Sequence, residues 1–131
     1  MKYFFVMFAL VLAGCTTGSA TNEGDEKTYE RVKFVGEKAT SEERAKCESV
    51  GGTVRRAGMA GWEHCIQNMP DAGKVCSDSS DCTARCEIPP QEGREYSPGE
   101  AATGQCAPTD EIFGCFTRVE NGKADATLCV D

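Results

Sequence analysis

The sequence is short of the side chains that build a hydrophobic core. Residues 16–131 hold only 14 Val, Ile, Leu and Phe residues, and Leu128 is the only Leu among them. So few apolar groups argue against a large buried enzyme core, and with a sizeable net charge they are typical of a disordered chain. A fold in this sequence therefore needs another source of stability.

Positive charge and histidine are scarce as well. Lys and Arg number 14 against 21 Asp and Glu, giving a formal net charge of −7, which disfavours nucleic acid as a partner. The single histidine, His64, lies on an expected strand, where the adjacent Glu63 points to the opposite face and is poorly placed to orient it as a base. Gly-x-Ser-x-Gly, His-Glu-x-x-His and phosphate-binding glycine motifs are absent. We expect neither enzyme activity nor a cofactor.

The sequence also lacks an apolar run long enough to cross a bilayer, which takes roughly 20 helical residues. A shorter run of ten residues, Tyr3–Leu12, follows Lys2 and is typical of the h-region of a secretory signal peptide. The residues that close this run and follow it are Leu12-Ala13-Gly14-Cys15, and then Thr16.

That tetrapeptide resembles the lipobox of bacterial lipoproteins, in which Leu, a small residue and Gly precede an obligatory Cys. The resemblance implies that residues 1–14 are a removed signal peptide and that Cys15 carries a diacylglyceryl group and an acylated amine. Each buried methylene contributes about 0.8 kcal/mol, so two or more chains anchor stably. Thr16 stands where Asp commonly signals inner-membrane retention, which implies the outer membrane, facing the periplasm. The alternative is an ordinary secreted protein with a chance Cys15.

A polar segment follows Cys15. Residues 16–30 are small, polar or acidic without apolar periodicity, a composition typical of a flexible linker. We therefore expect residues 15–39 to be the lipidated Cys and an acidic tether ahead of a domain at 40–131. The weak alternation of residues 31–35 would add an edge strand to that domain.

Cysteine is the expected source of stability. Export would place the eight cysteines after Cys15 in an oxidising compartment, so four disulfides is the economical interpretation. One bridge typically stabilises by about 2–4 kcal/mol, and the pairing stays open among on the order of a hundred connectivities. The eight are Cys47, Cys65, Cys76, Cys82, Cys86, Cys106, Cys115 and Cys129.

Two metal-binding alternatives are weaker. Zinc would use Cys82 and Cys86 with His64, but a zinc finger has two tight ligand pairs and only one is present. Calcium would use the oxygens of residues 78–81, but the EF-hand spacing with its Gly and terminal Glu is absent. We expect no metal, and a capped turn at residues 78–81.

One helix is predicted near the start of the domain. Thr40 and Glu43 match a capping box, and Gly51 suits the residue after a helix end, so the helix would cover residues 41–50. Ala45 and Val50 are expected to face inward.

Two hairpins are predicted after this helix. The first joins residues 53–56 to 62–66 through the turn-like 58–61. The second joins residues 113–119 to 124–130 through Asn121-Gly122, a strong hairpin signal. A two-residue turn would place Cys115 opposite Leu128, whereas a bulge or a three-residue turn would place it opposite Cys129. We expect a Cys115–Cys129 bridge, and therefore one of those two irregularities.

Two segments offer candidate contact residues. Arg55 and Arg56 would form a small basic spot near Trp62, although an exposed strand pair is the simpler interpretation. The long stretch of residues 87–105 between cysteines is either mobile or a recognition loop that presents Arg94 and Tyr96.

The predicted class is a small disulfide-rich α+β fold, with one short helix, β-hairpins and long loops stapled by about four disulfides. The cysteine run from Cys47 to Cys129, with Gly51-Gly52 and the closing Leu128-Cys129-Val130-Asp131, is similar to small cysteine-rich bacterial lipoproteins of unassigned activity. We expect a lipid-anchored, non-enzymatic periplasmic module that contacts an envelope protein or polymer. An inhibitor of a hydrolase, such as a protease or lysozyme, is the alternative.

Overall fold

The computed structural model of the protein describes residues 29–90 and 94–131. The expected signal peptide, the lipidation site Cys15 and the first part of the tether lie outside the described residues, as do residues 91–93. The described chain forms one α-helix, two antiparallel sheets and four disulfides, which confirms the expected disulfide-rich α+β fold.

Helix α1 (Ser41–Ser49) begins and ends as its terminal residues predict. The Thr40 side chain accepts a hydrogen bond from the Glu43 amide (3.2 Å), and the Glu43 carboxylate accepts one from the Thr40 amide (2.8 Å). At the other end the Gly52 amide donates to the Cys47 carbonyl (2.9 Å). Gly51 has a φ of 76°, the left-handed conformation that ends a helix in a Schellman motif.

The inward face of α1 differs in part from the prediction. Cys47 is fully buried and Val50 packs beside it, as expected. Ala45 is exposed, contrary to the prediction, because it lies two residues before Cys47 and so about 200° around the helix from it.

The first predicted hairpin is confirmed and lies against α1. Strand β1 (Thr53–Ala57) pairs antiparallel with β2 (Trp62–Ile66), with Val54 opposite Cys65. The Cys47–Cys65 disulfide joins the hairpin to the helix. A small core forms around this bridge from Val32, Phe34, Val50 and Val54.

The remaining strands form one five-stranded sheet. They are β3 (Val75–Cys76), β4 (Cys86–Glu87), β5 (Gly104–Cys106), β6 (Gly114–Glu120) and β7 (Lys123–Val130), arranged in the order β3-β5-β4-β6-β7 with every neighbouring pair antiparallel. The second predicted hairpin is β6–β7, and it forms one end of this sheet.

Disulfides occupy the centre of this sheet. Cys76 pairs with Cys86, and Cys82 pairs with Cys106. Cys76, Cys86 and Cys106 are buried, and the apolar side chains packed with them are Ile88, Val119 and Ala124. Sulfur therefore takes much of the place that aliphatic groups have in an ordinary core.

The β6–β7 hairpin confirms the predicted Cys115–Cys129 bridge, and of the two irregularities that this bridge predicts it contains the bulge. Asn121 and Gly122, with φ of 52° and 72°, form a two-residue turn that pairs Glu120 with Lys123. Further from the turn Thr117 pairs with Thr127, so β7 contains one additional residue between the two registers. The bulge, rather than a three-residue turn, brings Cys129 opposite Cys115.

The segment before α1 forms no strand at residues 31–35, contrary to the prediction. Its polar groups bond to side chains instead: the Val32 amide donates to Gln67 Oε1 (2.8 Å), and Gln67 Nε2 donates to the Glu30 carbonyl (3.2 Å). Val32 is buried in the core around Cys47–Cys65. Residues 29–34 thus pack with the domain, and a boundary placed at residue 40 leaves these contacts out.

Candidate interaction site

The His64 ring packs at a tilt of 55° against the ring of Phe113, and its strand neighbour Glu63 faces away from it. The two ring centroids lie 5.0 Å apart. Glu63 points to the opposite face of the hairpin, as the strand alternation predicts, and accepts hydrogen bonds from Arg44 and from the Ala39 amide. These bonds, that from Arg44 first, lower the pKa of Glu63.

Three sulfur atoms lie at metal-ligand spacing. Those of Cys76, Cys82 and Cys106 are within 4.8 Å of one another. Each belongs to a disulfide, so none carries the thiolate charge that zinc requires. The cluster joins two adjacent bridges.

The acidic turn at residues 78–81 uses its carboxylates as caps. Asp78 accepts from the Ser80 amide (3.0 Å) and from the Asn121 amide (2.9 Å), and Asp81 accepts from the Ser77 amide (2.9 Å). Chiefly because of the Ser80 amide, the pKa of Asp78 is lowered to about 2. The turn, with its 3-10 helix Ser79–Asp81, thereby clamps the tip of the β6–β7 hairpin.

The side chains of Arg55 and Arg56, the expected basic spot, project from opposite faces of the first hairpin. Arg55 pairs with His64 and Arg56 with Glu63, so Arg56 is on the side of α1. Arg55 forms an ion pair with Glu111, which connects the hairpin to the segment before β6. Trp62 shares the face of Arg55 and is 44% exposed.

That face of the hairpin contributes to two recesses that meet at Phe113. The first, of about 350 Å³, is lined by Arg31, Lys33, Phe34, His64, Ile112 and Phe113. The second, of about 410 Å³, is lined by Gly58, Met59, Phe113 and Val130. Met59 is 83% exposed and Ile112 is 41% exposed. We call this the Phe113 surface, and exposed apolar groups of this kind mark contact sites in soluble proteins.

A hydrogen-bonded group of Tyr29, Gln67 and Asp110, which we call the polar clip, lies at the edge of the Phe113 surface. The Tyr29 hydroxyl donates to Asp110 Oδ2 (2.7 Å), and the Gln67 amide donates to Asp110 Oδ1 (2.8 Å). Asp110 is buried, with the Arg31 guanidinium 3.8 Å away. Burial first, and then the hydrogen bond to Asp110, raise the pKa of Tyr29 to about 12.

The structure brings Arg94 and Tyr96 together and holds both in place. The Arg94 guanidinium lies 4.3 Å from the Tyr96 ring centroid and donates to Glu100 (2.9 Å). Tyr96 packs on the core of the five-stranded sheet. Main-chain hydrogen bonds join Gly99 and Glu100 to Ala124 (both 2.8 Å). The described part of the long loop is thus bonded to the sheet.

A third recess lies between this loop and the last hairpin. It has a volume of about 440 Å³ and is lined by Pro89, Pro90, Arg94, Tyr96, Thr117 and Thr127. Two of its lining side chains, Thr117 and Thr127, share a hydrogen bond of 2.6 Å between their hydroxyls. Two of the predicted contact residues therefore lie beside β7.

Several residues of these surfaces were not predicted. The sequence indicates Phe113 only as the start of a strand. It gives no local signal for Asp110, because the partner of Asp110, Tyr29, is 81 positions away. A hint existed for Phe113, since large aromatic side chains are rare in this chain.

No protein-family profile, curated protein or solved structure matches this chain. Within residues 29–90 and 94–131, no helix is long and apolar enough to cross a membrane.

Proposed function

We propose that this protein is a lipid-anchored, non-enzymatic module of the bacterial cell envelope. It is held at the outer membrane, faces the periplasm, and contacts another envelope component through the apolar Phe113 surface.

The cysteine pairing is the observation that carries the proposal. The chain has nine cysteines, and eight of them pair among themselves in the described part. No cysteine is then left within the chain for Cys15, the one residue that matches a lipobox. Four disulfides in so small a domain are also typical of exported proteins, where a lipobox acts.

The Phe113 surface supports a protein as the contacted component. It combines exposed Met59 and Ile112 with an aromatic centre. Aromatic residues and Met are enriched at protein interfaces. An envelope polysaccharide is the other candidate for the contacted component. An anionic one would bind Lys33, which lines the first recess.

Anchoring is tested by two variants at the lipobox. With Cys15→Ala the protein should lose its acyl chains by mass spectrometry and leave the membrane fraction. With Thr16→Asp it should stay lipidated and move to the inner-membrane fraction on a density gradient. Membrane association of Cys15→Ala equal to that of the unaltered protein contradicts the anchoring.

The contact is tested with a photo-crosslinking amino acid at Met59 and, as a matched control, at Val75, which is 66% exposed on β3. Crosslinks to an envelope component are expected from Met59 alone. Equal products at both positions, or none, contradict the proposal. A crosslinked hydrolase whose activity the protein lowers, with the effect lost on Arg94→Ala or Tyr96→Ala, would establish the inhibitor alternative.

A further inference from the structure

Among residues 29–90 and 94–131, no segment pairs with the outer edge of β7 over residues 126–130, and this stretch is uncharged. β7 is the last strand of the sheet, and its residues here are Ala, Thr, Leu, Cys and Val, without a charge or a proline. Leu128 is 38% exposed. Proteins usually protect such edges with Lys, Pro or a covering segment, because an open edge pairs with other chains.

The backbone groups that face outward on this edge follow from the disulfide. The Cα atoms of Cys115 and Cys129 are 4.0 Å apart, the short spacing of a non-hydrogen-bonded pair. In such a pair the amide and carbonyl groups point away from the partner strand. Thr127 has the same parity, so its groups and those of Cys129 point away from β6.

A hydrogen bond on the other side of β6 supports this assignment independently. The Thr117 carbonyl accepts from the Ile88 amide (2.9 Å), on the side of β4. Thr117 is the partner of Thr127, so the main-chain amide and carbonyl groups of both residues point away from the strand pair. Outside the strand ladders, the main-chain hydrogen bonds of the described residues include none to Thr127 or Cys129.

Residues 99–102 already pair with the first part of the same edge, at residues 122–124. Gly99 and Glu100 bond to Ala124, and the Ala102 amide donates to the Gly122 carbonyl (2.9 Å). This strand-like cover ends at Ala124, immediately before the bulge. The outer edge of β7 can therefore pair with an extended segment. Residues 126–130, its second half, are available for a further segment.

We propose that residues 126–130 of β7 bind an extended segment of another protein by strand addition to the sheet. The proposal rests on the proposed function and specifies the partner's chemistry: an uncharged, β-prone centre flanked by Lys or Arg. Asp131 borders the open edge at one end, whereas Asp125 at the other end pairs with Arg118 (3.1 Å). The whole chain carries −7, so basic flanks, above all one beside Asp131, are complementary.

A second copy of this chain fits the edge less well. An antiparallel pair that joins Thr127 of one copy to Cys129 of the other places Asp125 opposite Asp131 at both ends. Like charges directly opposite each other destabilise a sheet. A register displaced toward the turn runs into the residues that already cover Ala124.

Thr127→Pro tests the edge, with Thr127→Val as its matched control. Proline removes the outward amide, and its ring is tolerated where an edge amide faces solvent. Valine removes only the hydroxyl that bonds Thr117, so it controls for that loss. The probe is a blocked peptide of alternating Thr and Val with a Lys at each end.

Hydrogen exchange of the Cys129 amide in the purified, oxidised protein is the readout. Peptide at about ten times its Kd should slow this exchange about tenfold in the unaltered protein and in Thr127→Val. In Thr127→Pro the protection should be lost. If Thr127→Pro does not fold, Asp131→Lys leaves the backbone intact and should favour a Glu-flanked peptide over the Lys-flanked one.

Three results overturn the inference. They are no protection of Thr127 and Cys129 by the peptide, equal protection of Cys129 in Thr127→Pro, and protection without peptide that rises with protein concentration. The last would make a second copy the occupant. Crosslinking from Met59 that persists in Thr127→Pro leaves the proposed function intact, so the two failures are distinguishable.

Discussion

The helix with its hairpin, residues 29–66, and the five-stranded sheet, residues 75–130, solve the same shortage of apolar side chains differently. The first region has one disulfide, and four partly or fully buried apolar residues surround it. The sheet has three disulfides, and two of them form its centre. Cross-links thus replace side-chain burial most where the strands are shortest.

The two regions are held together without a covalent bond between them. Between them lie contacts rather than a cross-link: the Tyr29–Asp110 hydrogen bond, the Arg55–Glu111 ion pair and the ring contact of His64 with Phe113. All four disulfides lie within one region or the other. Each region therefore depends on its own bridges, and the Phe113 surface forms only when both are in place.

Removal of one disulfide should lower the free energy of unfolding more than any other change proposed here. The loss should differ between the region of residues 29–66 and the five-stranded sheet. The loops closed by Cys47–Cys65 and Cys115–Cys129 span 18 and 14 residues, so each bridge restricts the unfolded chain by about 3 kcal/mol. Cys47 and Cys65 are also buried, and their replacement by Ala leaves a cavity costing about 2 kcal/mol more.

Urea unfolding and hydrogen exchange of the oxidised variants measure this difference. The Cys47→Ala, Cys65→Ala double variant should expose amides of the first hairpin while those of β4 and β5 stay protected. The Cys115→Ala, Cys129→Ala variant is the matched comparison. Equal loss of stability in both, or joint opening of hairpin and sheet, would show that the molecule is one cooperative unit.

A methyl group at either of two glycines should have the next largest effect. A Cβ at Gly52 would lie 2.6 Å from the sulfur of Cys65, and one at Gly104 would lie 2.7 Å from that of Cys86. Each Ala variant should lose about 1–3 kcal/mol, because the disulfides cannot move aside.

Gly36→Ala is the control, since its nearest neighbour would be 3.7 Å away and its φ is not left-handed. Thermal unfolding followed by circular dichroism measures all three variants. If Gly52→Ala and Gly104→Ala unfold with the control, the two sulfur centres are looser than their contacts indicate.

The smallest effect is expected at the clip between the regions, and it depends on pH. The pKa of Tyr29 is raised from 10.0 to about 12, so the folded state favours the neutral phenol. Its contribution is complete below pH 10 and is lost as the pH rises through about 12. Tyr29→Phe should lose about 1 kcal/mol at neutral pH and remove this alkaline dependence.

Phenolate absorbance and urea midpoints between pH 9 and 12 test the clip. Tyr96→Phe is the matched control and should keep the alkaline loss of stability, because its hydroxyl is not bonded to Asp110. A Tyr29 that ionises at the ordinary pKa of tyrosine would show that residues 29–32 are not docked in solution.

The parts of this fold that the sequence predicts are the local ones. Thr40, Glu43 and Gly51 define α1, because caps act within one turn. Asn121-Gly122 defines the last hairpin, and a Cys115–Cys129 bridge in it requires a bulge or a three-residue turn, between which only the structure decides. The contact residues were predicted less completely: Arg94 and Tyr96 lie together, whereas Arg55 and Arg56 leave opposite faces.

The sequence by itself determined the scarcity of apolar groups, the disulfide framework as a class, and the elements whose signals lie within a few residues of each other. Only the tertiary structure decided the other three bridges, the docking of Tyr29 on Asp110, and the position of β7 at an open edge. These depend on contacts between residues far apart in the chain, where the free energy of pairing comes from mutual burial rather than local propensity. The disulfides, placed at the centres of the two cores, thus stabilise a chain that has few apolar side chains.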